Sequence, residues 1–299
     1  MNAAPQMTEL RGNLLLNESM SRHTSWRIGG PADRYYQPAG IDDLSQFLQQ
    51  IPDDEPVFWL GLGSNLLVRD GGIRGTVIAT SGVVNGLELI NENTVRAEAG
   101  VACAKVARFC ARAGLIGAEF LAGIPGTMGG ALAMNAGAFG GETWEIVKAV
   151  ETLTKNGQRY KRIPDEYEIS YRHVAGYANE WFVAAELKLR KGNAKASQAH
   201  IKELLARRGA TQPTQQPNAG SVFRNPENDH AARLIEACKL KGICKGAACV
   251  SQKHANFIVN TGGAKALDVE ALINHVASIV SEKQGVQLKR EVHIVGEVA

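Results

Sequence analysis

The chain has 299 residues, 44% of them apolar and 21% charged, a balance that excludes a disordered chain. At roughly 100–200 residues per domain, this length allows two or three units. The net charge is +3 and no basic run exceeds Arg207-Arg208, so neither nucleic acid nor membrane is an expected partner.

Residues 1–11 lack the charged-then-apolar pattern of a secretion signal, and a cytoplasmic protein is expected. Residues 42–51 place Leu44, Phe47, Leu48 and Ile51 at i, i+3, i+4 and i+7, a short amphipathic helix with Asp42 as its expected cap. Residues 57–60 form an expected buried strand running into Gly61, and 77–80 and 94–98 read as further strands. Val106, Phe109, Cys110 and Ala113 share a helical face that Gly114 closes. Residues 147–163 predict a hairpin turning at Asn156-Gly157, with the positive φ angles of a type I′ turn. A long strand follows at 181–190.

The composition shifts at Lys191-Gly192-Asn193, which predicts two parts, 1–194 and 195–299, the first split again near residue 80. Helices are expected at 198–208 and 229–239, with a polar loop at 211–218 between them. The end reads as a strand at 254–260, a helix at 268–284 and a last strand in which Val292 and Ile294 alternate, leaving Glu291 on the opposite face. The fold class is α+β.

Five cysteines stand at 103, 110, 238, 244 and 249. An odd count without a C-x-x-C pair argues against a disulfide framework and against structural zinc, so free thiols and no metal are expected. Residues 114–141 carry one charge, Glu119, but also nine glycines and Pro125, a composition too poor in helix formers to span a membrane.

Glycine is the outlier: 32 residues where average usage predicts about 21. One cluster, Gly61-Leu62-Gly63-Ser64-Asn65-Leu66, follows a strand and can present backbone N–H groups to a diphosphate. It is neither a Rossmann fingerprint, since Leu66 stands where the third glycine belongs, nor a P-loop. The second runs Gly123-Ile124-Pro125-Gly126-Thr127-Met128-Gly129-Gly130 and on through Asn135-Ala136-Gly137. Tight helix packing accounts for a 126/130 spacing, but the density of glycine favours a wall of bare backbone for a long phosphate-bearing ligand.

These two clusters resemble the FAD-binding portion of the UDP-N-acetylenolpyruvoylglucosamine reductase (MurB) family. The likeness extends through residues 24–32, Tyr171-Arg172, Ala219-Gly220-Ser221-Val222-Phe223-Arg224-Asn225-Pro226, 254–260 and 291–296, in the family's order. It implies a two-lobed FAD-binding domain of the MurB/vanillyl-alcohol-oxidase type followed by an α+β substrate domain, with the last strand returning to the site. The family's shorter type, without the tyrosine-bearing loop, fits best.

The resemblance implies reduction of the enolpyruvyl ether of UDP-N-acetylglucosamine to UDP-N-acetylmuramate, a peptidoglycan precursor, with NADPH as co-substrate and FAD bound non-covalently. By similarity Ser221 is the proton donor, Arg172 steadies the enolate, and Glu291 completes the catalytic set. Gly61 to Leu66, Gly123 to Thr127, Gly129, Gly130 and Asn135 to Gly137 are the implied cofactor contacts. Arg224 and Asn225 are the implied contacts to the sugar diphosphate, although the family more often has Lys before this Asn. A monomer is expected. The rival readings are an FAD-dependent oxidase of the same domain group and a non-catalytic nucleotide-binding module; neither needs a proton-donor block around Ser221.

Overall fold

Two sheets organise the first two thirds of the chain in a computed structural model that describes residues 10–299; residues 1–9 of the N-terminal reading lie outside the described residues. The first sheet has the order Asn13–Ser19, Pro31–Gln37, Ile73–Ala79, Val57–Leu60, antiparallel at its first pair and parallel beyond. Parallel neighbours need a crossover, and helix α1 (Ile41–Leu48) supplies one between Pro31–Gln37 and Val57–Leu60. Its buried Phe47 stacks on Tyr36 with ring centroids 3.6 Å apart.

The expected cap Asp42 is exposed and instead pairs with Arg159. The adjacent Asp43 is the acid that matters, 1% exposed. It accepts hydrogen bonds from Tyr36 Oη (2.5 Å), Arg11 N (2.7 Å), Ala39 N (2.9 Å) and Gly12 N (3.3 Å). One carboxylate thus ties the entry of the first strand to the start of α1.

The second sheet, antiparallel throughout, has the order Arg159–Arg162, Val147–Thr154, Glu180–Lys188, Thr94–Glu98, Leu87–Asn91. Val95, Ala97, Val150, Ala185 and Leu187 meet helices α2 (Cys103–Arg112) and α3 (Met128–Ala133) in one core, while Leu153 and Val183 pack toward α1. The hairpin turns at residues 156–157 as expected, but only Gly157 has positive φ (+75°). Gly157 N donates to Thr154 O (2.9 Å) and Thr154 N to Gln158 O (3.0 Å), a longer turn with one left-handed residue rather than type I′. Packing decides it: a Cβ on Gly157 would lie 2.4 Å from Ser45 O of α1.

Helix α4 (Ala194–Thr211) begins at the compositional shift, capped by Asn193 Oδ1 accepting from Ala196 N (3.0 Å). Its buried Ile201 joins the core of α2, and Ser197 Oγ donates to Glu119 (2.7 Å), so by packing this helix sides with the first part.

The C-terminal part sets α5 (Ala231–Ala237) and α6 (Ala266–Gln284) on the strands Cys244–Lys245, Ala248–Val250 and Ile258–Asn260. The strand expected at 254–260 keeps only its last three residues, because Phe257 N bonds back to His254 O in a turn (3.1 Å). Trp26 enters this core from the distant N-terminal segment, its Nε1 donating to Ile258 O (2.7 Å). The expectation of five free thiols is corrected here: Cys244 and Cys249 face each other across the first two strands and form a disulfide, leaving Cys103, Cys110 and Cys238 free. Cross-strand register, which a C-x-x-C search does not see, brings the two sulfurs together. No helix among the described residues is long and apolar enough to cross a membrane.

Burial alone would raise the Asp43 carboxyl, yet the hydrogen bonds from Tyr36, Ala39, Arg11 and Gly12 hold it below the ordinary carboxylate range. The stability it contributes is therefore present above the unfolded-state value of about 3.9 and is lost as pH falls through the lower folded value. Asp43→Asn is expected to cost about 3 kcal/mol at pH 7 and much less at the acid end. Urea titrations at both pH values check this; an equal loss at both would contradict it.

Candidate active site

The two glycine clusters lie against each other. A Cβ on Gly61 would sit 2.4 Å from Thr127 Oγ1, and one on Gly126 would sit 3.5 Å from Ser64 Oγ. The first loop is braced from behind: Ser25 N donates to Gly63 O (3.1 Å), and a Cβ on Gly63, at φ +58°, would lie 2.3 Å from His23 O. Thr127 is 1% exposed, and its Oγ1 is a buried hydroxyl without a partner. A desolvated hydroxyl of this kind costs free energy unless a ligand satisfies it. Beside it, Gly130 is exposed, with nothing closer than 3.9 Å to a Cβ placed there. Bare backbone, an orphan hydroxyl and open space together form a cradle of the kind a dinucleotide cofactor fits.

A cleft of about 670 Å³ runs along this cradle, lined among others by Thr24, Arg27, Tyr35, Gly61, Pro125 and Gly220. Gly220, at φ +73°, opens the turn that carries Ser221, which is half-buried. The turn is held through Val222, whose carbonyl accepts from Glu291 N (2.8 Å) and whose N–H donates to Asn256 O (2.9 Å). Ser221 is therefore one residue from the backbone of Glu291.

Glu291 lies two residues before the last strand, His293–Val295, which pairs in parallel with Leu66–Val68 at the end of the first glycine loop. Asn65 completes the seam, donating from Nδ2 to Glu291 O (3.1 Å) while its carbonyl accepts from His293 N (3.1 Å). Arg172 reaches the same point from a separate two-stranded hairpin. It occupies the two-residue turn between Glu168–Ser170 and His173–Ala175 at φ +54°. Its Nε donates to Glu291 Oε1 (2.8 Å) and its Nη2 to Gly137 O (3.2 Å). Both side chains of this pair are largely buried, 16% and 13% exposed. Burial pushes the Glu291 carboxyl above the ordinary range, against the pull of Arg172 and Arg224. Arg224 keeps a buried Nε without a partner and so has a donor to spare. Asn225 is exposed, its Oδ1 accepting from Ala231 N at the start of α5 (3.1 Å).

Arg172, Ser221, Glu291 and the two loops thus converge. Some expected contacts are turned to other work. Asn135 is 2% exposed and its side chain is consumed internally, by Glu142 (2.7 Å), Ser170 O (3.2 Å) and Trp144 N (3.2 Å). Leu66 and Ile124 are buried, Gly123 makes room for the Phe139 ring, and Gly129 for Ala99, so close packing accounts for part of the glycine excess. The cleft also has members that the sequence reading passed over. Tyr35 Oη is hydrogen bonded to His23 Nδ1 (2.9 Å), and His23 Nε2 to Glu18 (2.9 Å). Burial, with the charge of Glu18, pushes the Tyr35 phenol up to about 12. No spacing rule joins these three residues; the pairing of Asn13–Ser19 with Pro31–Gln37 carries Glu18 and Tyr35, and the helical turn Met20–Arg22 delivers His23 between them.

Residues 32–161 match the family model of an FAD binding domain, and residues 211–295 match the C-terminal domain of UDP-N-acetylenolpyruvoylglucosamine reductase. A reductase of that name from Alkalilimnicola ehrlichii is 60% identical over 96% of each chain, and one from Nitrosococcus oceani 61% identical over 97% of each. The chain belongs to the UDP-N-acetylenolpyruvoylglucosamine reductase family. The crystal structure of the reductase from Thermus caldophilus superimposes with a TM-score of 0.82 at 32% identity, covering 95% of this chain and 98% of that one. The α+β architecture expected from the sequence is therefore that of a solved member of the reductase family.

A buried carboxyl whose folded-state pKa is raised favours the fold while protonated, and that contribution is lost as pH rises through the folded value. Glu291→Gln is expected to remove this loss, so its thermal stability relative to the parent should improve as pH rises from below the ordinary carboxylate value of 4.5 to neutrality. Melting curves across that range check it; a difference independent of pH would contradict it.

Proposed function

We propose that the chain reduces the enolpyruvyl ether of UDP-N-acetylglucosamine to UDP-N-acetylmuramate, with FAD held non-covalently between the two glycine loops and NADPH as electron donor. FAD when bound supplies hydride transfer from NADPH to the vinyl carbon of the substrate. The chain's own residues supply the rest. Arg172 pairs with the substrate carboxylate and stabilises the charge that builds on it, its guanidinium already aimed by Glu291 and Gly137 O. Ser221 gives its proton to the neighbouring carbon. A serine hydroxyl is a weak acid, so the transfer depends on positive charge that stabilises the departing alkoxide, and the Arg172–Glu291 pair beside the serine turn is its source. Glu291 orients the Arg172 guanidinium and lies within one residue of the serine turn.

Arg224 and the amide of Asn225 bind the diphosphate of the sugar nucleotide, the spare donor on the Arg supporting this role. Residues 1–194 serve the cofactor, with α4 packed on them, and the remainder of 195–299 serves the sugar. The chain is read as a monomer acting in the cytoplasm, where peptidoglycan precursors are made. The observation that carries the reading is the meeting of Arg172, Glu291 and the Ser221 turn beside the glycine cradle. An oxidase or a binding module has no use for that grouping.

Ser221→Ala is expected to leave reduction of bound flavin by NADPH largely intact and to slow its reoxidation by the enolpyruvyl substrate about a thousandfold. Anaerobic rapid-mixing of each half-reaction separates the two. Equal damage to both would remove Ser221 from the donor role, and no substrate-dependent NADPH oxidation by the parent protein would overturn the reading as a whole.

A further inference from the structure

The pair Cys244 and Cys249 stands outside everything used so far. It closes a hairpin whose strands, Cys244–Lys245 and Ala248–Val250, put the two residues directly opposite each other, Cα atoms 4.1 Å apart. Cys244 is exposed and Cys249 half-buried, so a soluble reagent reaches the pair. The other three thiols are buried, and burial pushes those of Cys103 and Cys110 up to about 12. Buried, protonated thiols are inert. The hairpin is thus where thiol chemistry is accessible on this chain.

Its position gives that chemistry a consequence. Cys249 pairs with Val259 of the next strand, Ile258–Asn260, and that strand is bonded on its outer side to the segment leading into Ser221. Val259 bridges to Asn218, Asn260 N donates to Pro217 O (2.9 Å), and Asn218 Oδ1 accepts from Gly220 N (2.9 Å). Val222 N is held by Asn256 O from the turn that enters the same strand. The serine turn therefore rests on a three-stranded bed whose far edge is the cysteine hairpin. A two-residue strand at an edge frays easily without a cross-link.

We propose that Cys244 and Cys249 are a thiol–disulfide couple, closed by low-molecular-weight disulfides such as oxidised glutathione, and that closing it stiffens the bed under Ser221 and tunes the sugar-dependent half-reaction. The Cys244 thiolate attacks one sulfur of the small disulfide and expels a thiolate. The Cys249 thiolate then attacks Cys244 Sγ, forms the intramolecular bond and expels the second. Two electrons pass to the small disulfide, which leaves as two thiols with the two protons lost by the cysteines. A reducing cytoplasm opens the pair, and an oxidative shift closes it.

The proposal rests on the functional reading above only for its kinetic arm, and the test separates the two. The full-length flavoprotein is equilibrated in reduced or in oxidised glutathione, denatured, alkylated and weighed; five labelled thiols are expected in the first and three in the second. Hydrogen exchange at Gly220, Val222 and Asn260 is expected to be about threefold slower in the oxidised form. Oxidation of reduced flavin by the sugar substrate is expected to change about threefold between forms, reduction by NADPH not at all. Cys244→Ser and Cys249→Ser should each abolish the redox dependence of both measurements. Five labelled thiols in oxidised glutathione overturn the proposal, as does a closed disulfide with unchanged exchange and unchanged half-reactions. Protein that shows the exchange change but no sugar-dependent turnover in either form overturns the functional reading and the kinetic arm, leaving the couple itself supported.

Discussion

Thr127 Oγ1 lies where a side chain on Gly61 would have to begin, 2.4 Å from the position of its Cβ. That close approach, together with Gly126 against Ser64, brings the two glycine loops together beside the cleft that Gly61 and Pro125 line. The loops are not slack: each is backed by a packed segment, residues 23–25 behind the first and Ala99 behind the second. Glycine is needed on the inner side for packing and on the outer side for openness. Both uses occur within a few residues of one another, and this is why the density exceeds what either alone would require.

The catalytic end depends on pairings between segments far apart in the chain. The strand after Glu291 docks beside the strand that follows the first glycine loop, which puts a C-terminal carboxylate next to an N-terminal cradle. Arg69 and Asp70, just past that strand, secure the arrangement from outside. Arg69 forks onto Glu270 (2.9 and 2.7 Å), and Asp70 accepts from Ala266 N and Leu267 N (2.9 and 3.0 Å) at the open end of α6. An acid supplied from a distant loop satisfies helix donors that the helix's own sequence leaves bare. Arg172 arrives in a left-handed turn, a backbone state that costs about 1–3 kcal/mol for a residue of this kind. The ion pair and the carbonyl contacts it makes on arrival offset that cost.

Much of this was legible in the residues because periodicity and turn chemistry act locally. The apolar stripe of 42–51 and the Asn-Gly hairpin appear where their patterns put them, and the helices expected at 198–208 and 268–284 form within Ala194–Thr211 and Ala266–Gln284. The misses share one cause, a local preference overridden by a tertiary contact. Asp42 has the better sequence position for a cap, but Asp43 faces the strand that needs an acceptor. Asn156 can adopt positive φ, but only Gly157 is pressed against α1. Asn135 reads as a cofactor contact from its motif, yet its amide is spent holding the loop that aims Arg172. The disulfide is set by strand register, and the Glu18–His23–Tyr35 chain by strand pairing together with the turn at Met20–Arg22, neither of which a single segment encodes.

The affinity of Gly61→Ala apoprotein for FAD, followed by flavin fluorescence quenching, tests the central claim most directly. One added methyl has no room against a β-branched side chain that is stiff at χ1, and overpacking of this size costs about 1–3 kcal/mol. The expected result is folded protein, by circular dichroism, that binds FAD about tenfold or more weakly than the parent. Unchanged FAD affinity in the folded variant would show that the contact between the two loops does not set the cofactor cleft.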